Sequence, residues 1–438
     1  MAKVYVFGAG VDATVGIGMP RSNELLPRIT EFLETELGQR VDGILRSIYP
    51  QLRFRFDAFI EKAIDNMARN FNDEVVIIRT RVAQELDTNN HLTQEQQNMG
   101  QLIIRMMEKV NNMATGAHLD EETERLIRAV FADFVVRDNS IIDLNKIVFT
   151  ETFQTVVRTL MKQSLAMPND PILQHMNRNF LDIEKLLMQY FIGFFLRKNY
   201  DIKVYSYIAW MLWAYLLTCE QNIIKAKTAD ELLHMPVYSQ IENDAIIINF
   251  NYTTFARMFV DNHYGHEVFY FHGSLLDYLD IKRKQDFQHV LASFGDLDIP
   301  RFFEETLRSN VSFDDGNERF TIPSFMPPVS IKPVLSHKNI RDWYKSYESL
   351  TASDKIIIIG YSFNSSDEHF NGMLRDCREK NVFIIDHNVE AIKNMLRPVL
   401  GIHPEDYSTT RVQNHESFQY NNVIIVNAYA NEIDYTRL

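Results

Sequence analysis

The chain has 438 residues, 46% of them hydrophobic and 12% aromatic against 24% charged, so it can bury sizeable cores and lacks the composition of a disordered protein. Its formal net charge of −13 excludes a general affinity for DNA or RNA, which needs clustered Lys and Arg. The two cysteines, Cys219 and Cys377, form no CxxC pair, which excludes a disulfide framework and a four-cysteine zinc site and suits a reducing cytosol.

Residues 1–7 run directly into glycines with no cleavage pattern, so no signal peptide is expected. The apolar runs at 186–196 and 207–217 fall short of the roughly 20 residues that span a bilayer. They read as buried helices, and the expectation is a cytoplasmic protein that does not enter a membrane.

In chain order, Lys3–Phe7 (KVYVF) reads as a buried strand ended by Gly8-Ala9-Gly10. Leu25, Leu26, Ile29, Phe32, Leu33 and Leu37 recur at helical spacing, with Ser22 or Asn23 as cap and Gly38 as stop. From 41 to 238 glycine and proline are scarce and apolar residues recur with a helical period, as in Leu181, Ile183, Leu186, Leu187, Tyr190, Phe191 and Phe194. This predicts a large all-helical insertion, with residues 75–78 as the one stretch resembling a strand and 87–101 as a polar connection. Strand-like runs return at 245–250 (AIIINF), 268–271 (VFYF), Lys355–Ile359 (KIIII), Asn381–Ile385 (NVFII) and Val423–Val426 (VIIV), while the proline-rich 320–333 reads as a loop. Continuous apolar runs alternating with helices predict an α/β fold, a Rossmann-like parallel sheet with helices on both faces. The expected organisation is a first βα unit over 1–40, the insertion over 41–238, and the rest of the sheet domain over 239–438.

Candidate site residues stand at the ends of these strands, where α/β sheets bind ligands. Gly8-Ala9-Gly10-Val11-Asp12-Ala13 fits G-x-G-x-x-A between a strand and a helix, a pattern for pyrophosphate at a helix start or for a tight turn with no ligand. No second strand ending in Asp or Glu follows about 20 residues on, which counts against a hydride-transfer enzyme. Asn251 follows the second strand, and its amide can donate and accept; it serves either a ligand or the turn. His272 follows the third, as a proton-transfer group or a structural histidine. Gly360-Tyr361-Ser362-Phe363 repeats the first turn, with Ser365 and Glu368 fitting a capping box. Asp386 ends the next strand, where a carboxylate can hold ribose hydroxyls or close a turn.

The order of these motifs resembles the sirtuin-like superfamily. GAG, the Gly18-Met19-Pro20 step before Asn23-Glu24-Leu25, and Asn251-Tyr252 resemble its nucleotide site, and Phe271-His272-Gly273 its histidine–glycine motif. Residues 325–328 (FMPP), a helix with Trp343, residues 359–363 and Asp367 look like the C-terminal half of bacterial sirtuin-like NAD-cleaving proteins. The resemblance implies an NAD hydrolase yielding nicotinamide and ADP-ribose in antiviral, abortive-infection defence, with NAD as substrate and no metal. It implies Gly8, Ala9, Gly10, Asp12 and Gly18 around the phosphates, Tyr252 in the nucleotide site, Asn251 orienting the attacking water, and His272 as general base. Gly360 and Ser362 contact the nucleotide in this scheme and Asp386 holds the adenosine ribose. It further implies a homo-oligomer and a HerA-type ATPase as partner. The turn after GAG is longer than usual, Asp12 stands where serine is common, and Thr253 stands where aspartate often follows the Asn-x pair. The absent zinc cysteines count against protein deacylation. A non-catalytic NAD- or ADP-ribose-binding regulatory subunit and an ADP-ribosyl transferase or deacylase on the same fold are the alternatives. The NYT, HG and GYS…D pattern is also similar to the abortive-infection protein AbiH.

Overall fold

In the computed structural model, the apolar runs form strands because burial on both faces favours Ile- and Val-rich extended segments. The strands are, in chain order, β1 (Lys3–Phe7), β2 (Ile142–Asp143), β3 (Val148–Phe149), β4 (Ile246–Asn249), β5 (Val268–Tyr270), β6 (Asp277–Asp280), β7 (Gln285–Gln288), β8 (Thr321–Pro323), β9 (Lys355–Ile359), β10 (Asn381–Ile385), β11 (Ser408–Val412), β12 (His415–Tyr420) and β13 (Val423–Val426). The structure describes residues 3–69, 74–89, 91–111, 118–131, 142–143, 148–167, 170–177, 183–195, 199–242, 245–261, 267–314, 318–324, 326 and 336–438.

The main sheet has eight strands in the order β11-β12-β13-β10-β9-β1-β4-β5. From β13 to β5 every neighbouring pair is parallel, and β11 and β12 extend the β13 edge as an antiparallel hairpin. Counted along the chain, the six parallel strands lie in the order 3-2-1-4-5-6, that of a doubly wound nucleotide-binding sheet. The order reverses between β1 and β9, so the crevice at the carboxyl ends of these two strands is the topological switch point. The expected α/β sheet is therefore present. The helices His337–Ala352, Glu368–Asp376 and Val389–Leu400 contribute Leu350, Phe370, Leu374, Ile392 and Leu396 to a core shared with Val4, Val6, Ile356, Ile358 and Ile384.

The chain divides into two compact units, one of Met1–Arg21, Thr35–Leu52 and Leu187–Leu438, the other of Ser22–Glu34 and Arg53–Leu186. These limits differ from boundaries at 40 and 238, and side-chain bonds explain why. The helix Asn199–Ala226 belongs to the sheet-bearing unit because Trp210 Nε1 donates to Thr321 O at 2.9 Å and Trp213 Nε1 to Leu275 O at 2.7 Å. Tyr207 on the same helix donates to Asp42 at 2.5 Å, which ties in the helix Glu36–Ile48. The apolar run 207–217 is thus a buried part of this helix, and no described helix is long and apolar enough to cross a membrane.

Several local expectations are corrected. The helix expected to end at Gly38 breaks at Thr35 instead, whose hydroxyl accepts from Gly38 N at 3.0 Å and starts a second helix. Ser22 and Asn23 lie in a 3₁₀ turn. Residues 75–78 fall in the helix Glu74–Thr88, and the next helix starts at Gln94, so the polar connection is only a few residues long. Within the proline-rich stretch Thr321–Pro323 is a strand paired with β6, while 325 and 327–335 lie outside the described residues.

Candidate active site at the carboxyl edge of the sheet

All the candidate residues fall on segments leaving the carboxyl ends of the parallel strands. Gly8, Ala9, Gly10, Asp12 and Gly18 follow β1, Asn251 and Tyr252 follow β4, His272 follows β5, Gly360 and Ser362 follow β9, and Asp386 follows β10.

At the switch point the two glycine turns are pressed together. Gly8 N donates to Ile359 O at 2.9 Å and Gly10 N to Gly360 O at 3.0 Å. A Cβ at Gly8 would lie 2.3 Å from Gly360 O, and one at Gly360 would lie 2.5 Å from Gly10 Cα. Gly360 also has φ +58°, a conformation that disfavours side chains. Backbone packing therefore accounts for all three glycines, and the Gly8 and Gly10 amides are already bonded. The GAG turn leads into a single helical turn, Ala9–Asp12, rather than a long helix aimed at a phosphate. Gly18 is exposed with φ +81° and has nothing within 4 Å of its would-be Cβ. Ser362 is exposed. Asp386 is half-buried and its Oδ1 accepts from Asn388 N at 2.7 Å, a turn-closing bond. Asn364, not Ser365, caps the segment after β9, accepting from Ser366 N at 3.1 Å, and Glu368 pairs with Arg375 at 2.5 Å.

At the ends of β4 and β5 the picture is polar and buried. His272 is 5% exposed and its Nε2 lies 2.8 Å from Asp367 Oδ1, itself on a residue 4% exposed. With the ring proton on Nε2, the carboxylate accepts it and orients the imidazole. Phe250 packs edge-on against the imidazole at 4.9 Å between ring centres, and Tyr252 lies at 6.5 Å. Asn251, between them in sequence, is buried and donates through Nδ2 to Gly8 O at 3.0 Å, joining the β4 end to the GAG turn. Tyr252 OH donates to Met326 O at 2.7 Å, and Met326 N donates to His272 O at 2.6 Å. Trp343 Nε1 donates to Phe271 O at 2.8 Å and its ring stacks on Phe271, which pins the backbone before His272.

Behind Asn251 lies a second buried network. Thr253 Oγ1 donates to Asp12 Oδ2 at 2.5 Å and Tyr238 OH to Asp12 Oδ1 at 2.5 Å. Thr254 N donates to Glu220 Oε2 at 2.9 Å, and its hydroxyl also bonds Glu220. Burial pushes Asp12 up to about 6, the hydroxyl bonds opposing it. Burial likewise pushes Glu220 up to about 7, with the charge of Asp12 adding to the rise. The two positions that depart from the sirtuin-like pattern, Asp12 and Thr253, are thus hydrogen-bonded to each other.

Sequence reasoning attached no role to Asp367, Asn249, Ser366, Glu220 or Tyr238. Asn249 Nδ2 and Ser366 Oγ are buried without a hydrogen-bond partner among the described residues, and both lie within two residues of a member of the site in sequence. Buried polar groups are paired in the great majority of cases, so these two atoms are the ones near Asn251 and Asp367 in sequence that keep hydrogen-bonding capacity. Among the described residues no three His, Cys, Asp or Glu side chains converge as metal ligands. Fold and site together define a doubly wound α/β protein with a buried His–Asp pair at the carboxyl edge. Comparison with family models, curated proteins and solved structures gave no match to this chain.

Proposed function

We propose that the chain hydrolyses NAD to nicotinamide and ADP-ribose and does so in antiphage defence. The observation that carries the reading is the buried His272–Asp367 pair beside Asn251, close to the switch point of a dinucleotide-type sheet. The fit of NAD rests on the orphaned Asn249 Nδ2 and Ser366 Oγ, which supply a donor and a hydroxyl to a polar substrate.

In this reading the bond between the ribose carbon and the nicotinamide nitrogen breaks, and its electron pair neutralises the pyridinium. Water forms the new carbon–oxygen bond and gives its proton to the imidazole of His272, with Asp367 stabilising the imidazolium. Asn251, held by Gly8, offers its amide oxygen to orient that water. Self-assembly and a HerA-type ATPase belong to the same proposal as the means of gating an activity that would otherwise deplete the host. The second reading is an NAD- or ADP-ribose-binding regulatory subunit without turnover; the engagement of the Asn251 amide nitrogen by Gly8 O favours it, since it gives Asn251 a structural task.

The test is incubation of purified protein with NAD followed by chromatography, with His272→Ala and Asn251→Ala alongside. Nicotinamide and ADP-ribose should appear with the native chain, and each variant should be slower by roughly 10²–10⁴-fold. Equal turnover by both variants sinks the assignment, and binding without turnover by the native chain leaves two readings, a gated enzyme awaiting its partner or the regulatory subunit.

A further inference from the structure

On the segments beyond β4 and β5 a separate cavity of about 430 Å³ is lined by Arg257, Asp277, Asp286, Phe287, Gln288, His337, Lys338 and Arg341. Its size falls within the range that holds a small organic ligand, roughly 300–1,000 Å³. It draws on the wide turn Arg257–Asp261, on β6 and β7, and on the first turn of the helix His337–Ala352.

The charges in it are unequally matched. Asp277 is already satisfied, accepting from Ser274 Oγ at 2.7 Å and Gln288 Nε2 at 2.9 Å and pairing with Lys338. Arg341 lies 3.4 Å from Asp342 and is otherwise largely exposed. Arg257 has no such partner: its Nε is buried without a hydrogen bond, and no described carboxylate forms an ion pair with it. Its guanidinium sits 5.8 Å from the centre of the Tyr270 ring, a contact that holds the planar fork without neutralising it. In a chain of net charge −13, a half-buried arginine left unpaired among further cations is the feature that needs explaining. A planar guanidinium with free donors is shaped for a phosphate or carboxylate, and Lys338 and Arg341 add point charge on the same wall. The remaining lining is of another kind. Phe287 offers a ring already stacked at 5.1 Å on Tyr278, and Asp286 offers an exposed carboxylate to hydroxyl or amino donors.

We propose that this cavity binds a small organic phosphate of nucleoside monophosphate type. The phosphate lies against Arg257, Lys338 and Arg341, and the hydroxyl-bearing remainder lies along the strand Gln285–Gln288, which brings Asp286 and Phe287 to the lining. The site is distinct from the carboxyl-edge residues around His272, and it does not depend on the chain cleaving NAD.

The experiment is isothermal titration calorimetry of the full chain with AMP, with adenosine as the uncharged control, at low and moderate salt. AMP should bind at least about tenfold tighter than adenosine and lose affinity as salt rises. Arg257→Gln should weaken AMP about 10–100-fold, the range for hydrogen bonds to a charged group. Arg341→Gln, at an exposed side chain where folding is not at risk, should weaken it by a smaller factor. Equal affinity for AMP and adenosine, or AMP affinity unchanged in both arginine variants, overturns the proposal.

Discussion

Along the carboxyl edge of the sheet, β1 and β9 end in turns pressed backbone against backbone, whereas β4 and β5 end in buried polar side chains. In the first region the chain removes every side-chain atom it can: Gly8, Gly10 and Gly360 meet with would-be Cβ distances of 2.3–2.7 Å. In the second, Asn249, Asn251, Thr253, Thr254 and His272 are all buried. The last four are bonded to Gly8, Asp12, Glu220 and Asp367, groups drawn from three other segments, and Asn249 accepts from Asn251 N. The glycine crossing fixes the register of the two central strands, and the Asn251–Gly8 bond carries that register into the polar region. The motif that reads most plainly as a ligand cradle therefore serves packing, and the groups able to do chemistry stand next to it. A fold that breaks its own preference for apolar interiors in one place usually does so where function requires it.

The largest expected effect breaks the glycine side of the contrast. Gly360→Ala must place a methyl against the Gly10 backbone at φ +58°, with no flexible side chain to move aside. Overpacking and the left-handed conformation together should cost about 3–5 kcal/mol, read as a fall in denaturant midpoint. Gly18→Ala, with a similar φ but open space, should cost only about 1–2 kcal/mol. Equal losses in the two variants would show that the crossing is not tight.

Asp367→Asn tests the polar side. The amide can hold the imidazole but cannot stabilise its charged form, so NAD turnover should fall by about 10²-fold or more while the protein stays folded. The acid limb of the kcat/KM profile should also shift towards higher rates at low pH, as the ring loses the anion that favours its protonation. Loss of stability with unchanged turnover and an unchanged profile would make the pair structural.

The sheet was legible because both faces are buried: KIIII and VIIV carry no polar interruptions and read as central strands. The edge hairpin STTRV and HESFQY was not, since its half-exposed residues lack a clean alternation. VVII at 75–78 was read as extended because a short apolar run cannot be told from a helix by composition. Asn251 and His272 were visible from their positions after apolar strands, yet the partner of His272 stands 95 residues away, and no spacing announces a pairing at that range. The glycines were seen for the right property, absence of a side chain, but the neighbour that requires it, Gly360, is a tertiary fact.

Asp12 and Glu220 bear on the same contrast through pH. Their folded values, about 6 and about 7, lie above the ordinary carboxyl values of 3.8 and 4.5. A raised value means that folding favours the protonated form, so this contribution is fully present below about pH 4 and is lost as pH rises through about 6 to 7. Stability should decline over that window by on the order of 3 kcal/mol for each group. Asp12→Asn and Glu220→Gln should each flatten the decline in urea titrations taken at several pH values. A slope in the doubly substituted chain equal to that of the native chain would remove these carboxyls from the account.

The smallest effect is the sharpest. If Asp12 and Thr253 depend on each other, Asp12→Ser and Thr253→Asp should each destabilise the chain, the first by leaving the Thr253 and Tyr238 hydroxyls with a poorer acceptor, the second by placing two buried carboxyls side by side. The double variant restores one hydroxyl facing one carboxylate, so it should be more stable than the sum of the single losses by about 0.5–3 kcal/mol. A coupling energy near zero would mean that the two side chains touch without depending on each other, and that the polar region tolerates its departures one at a time.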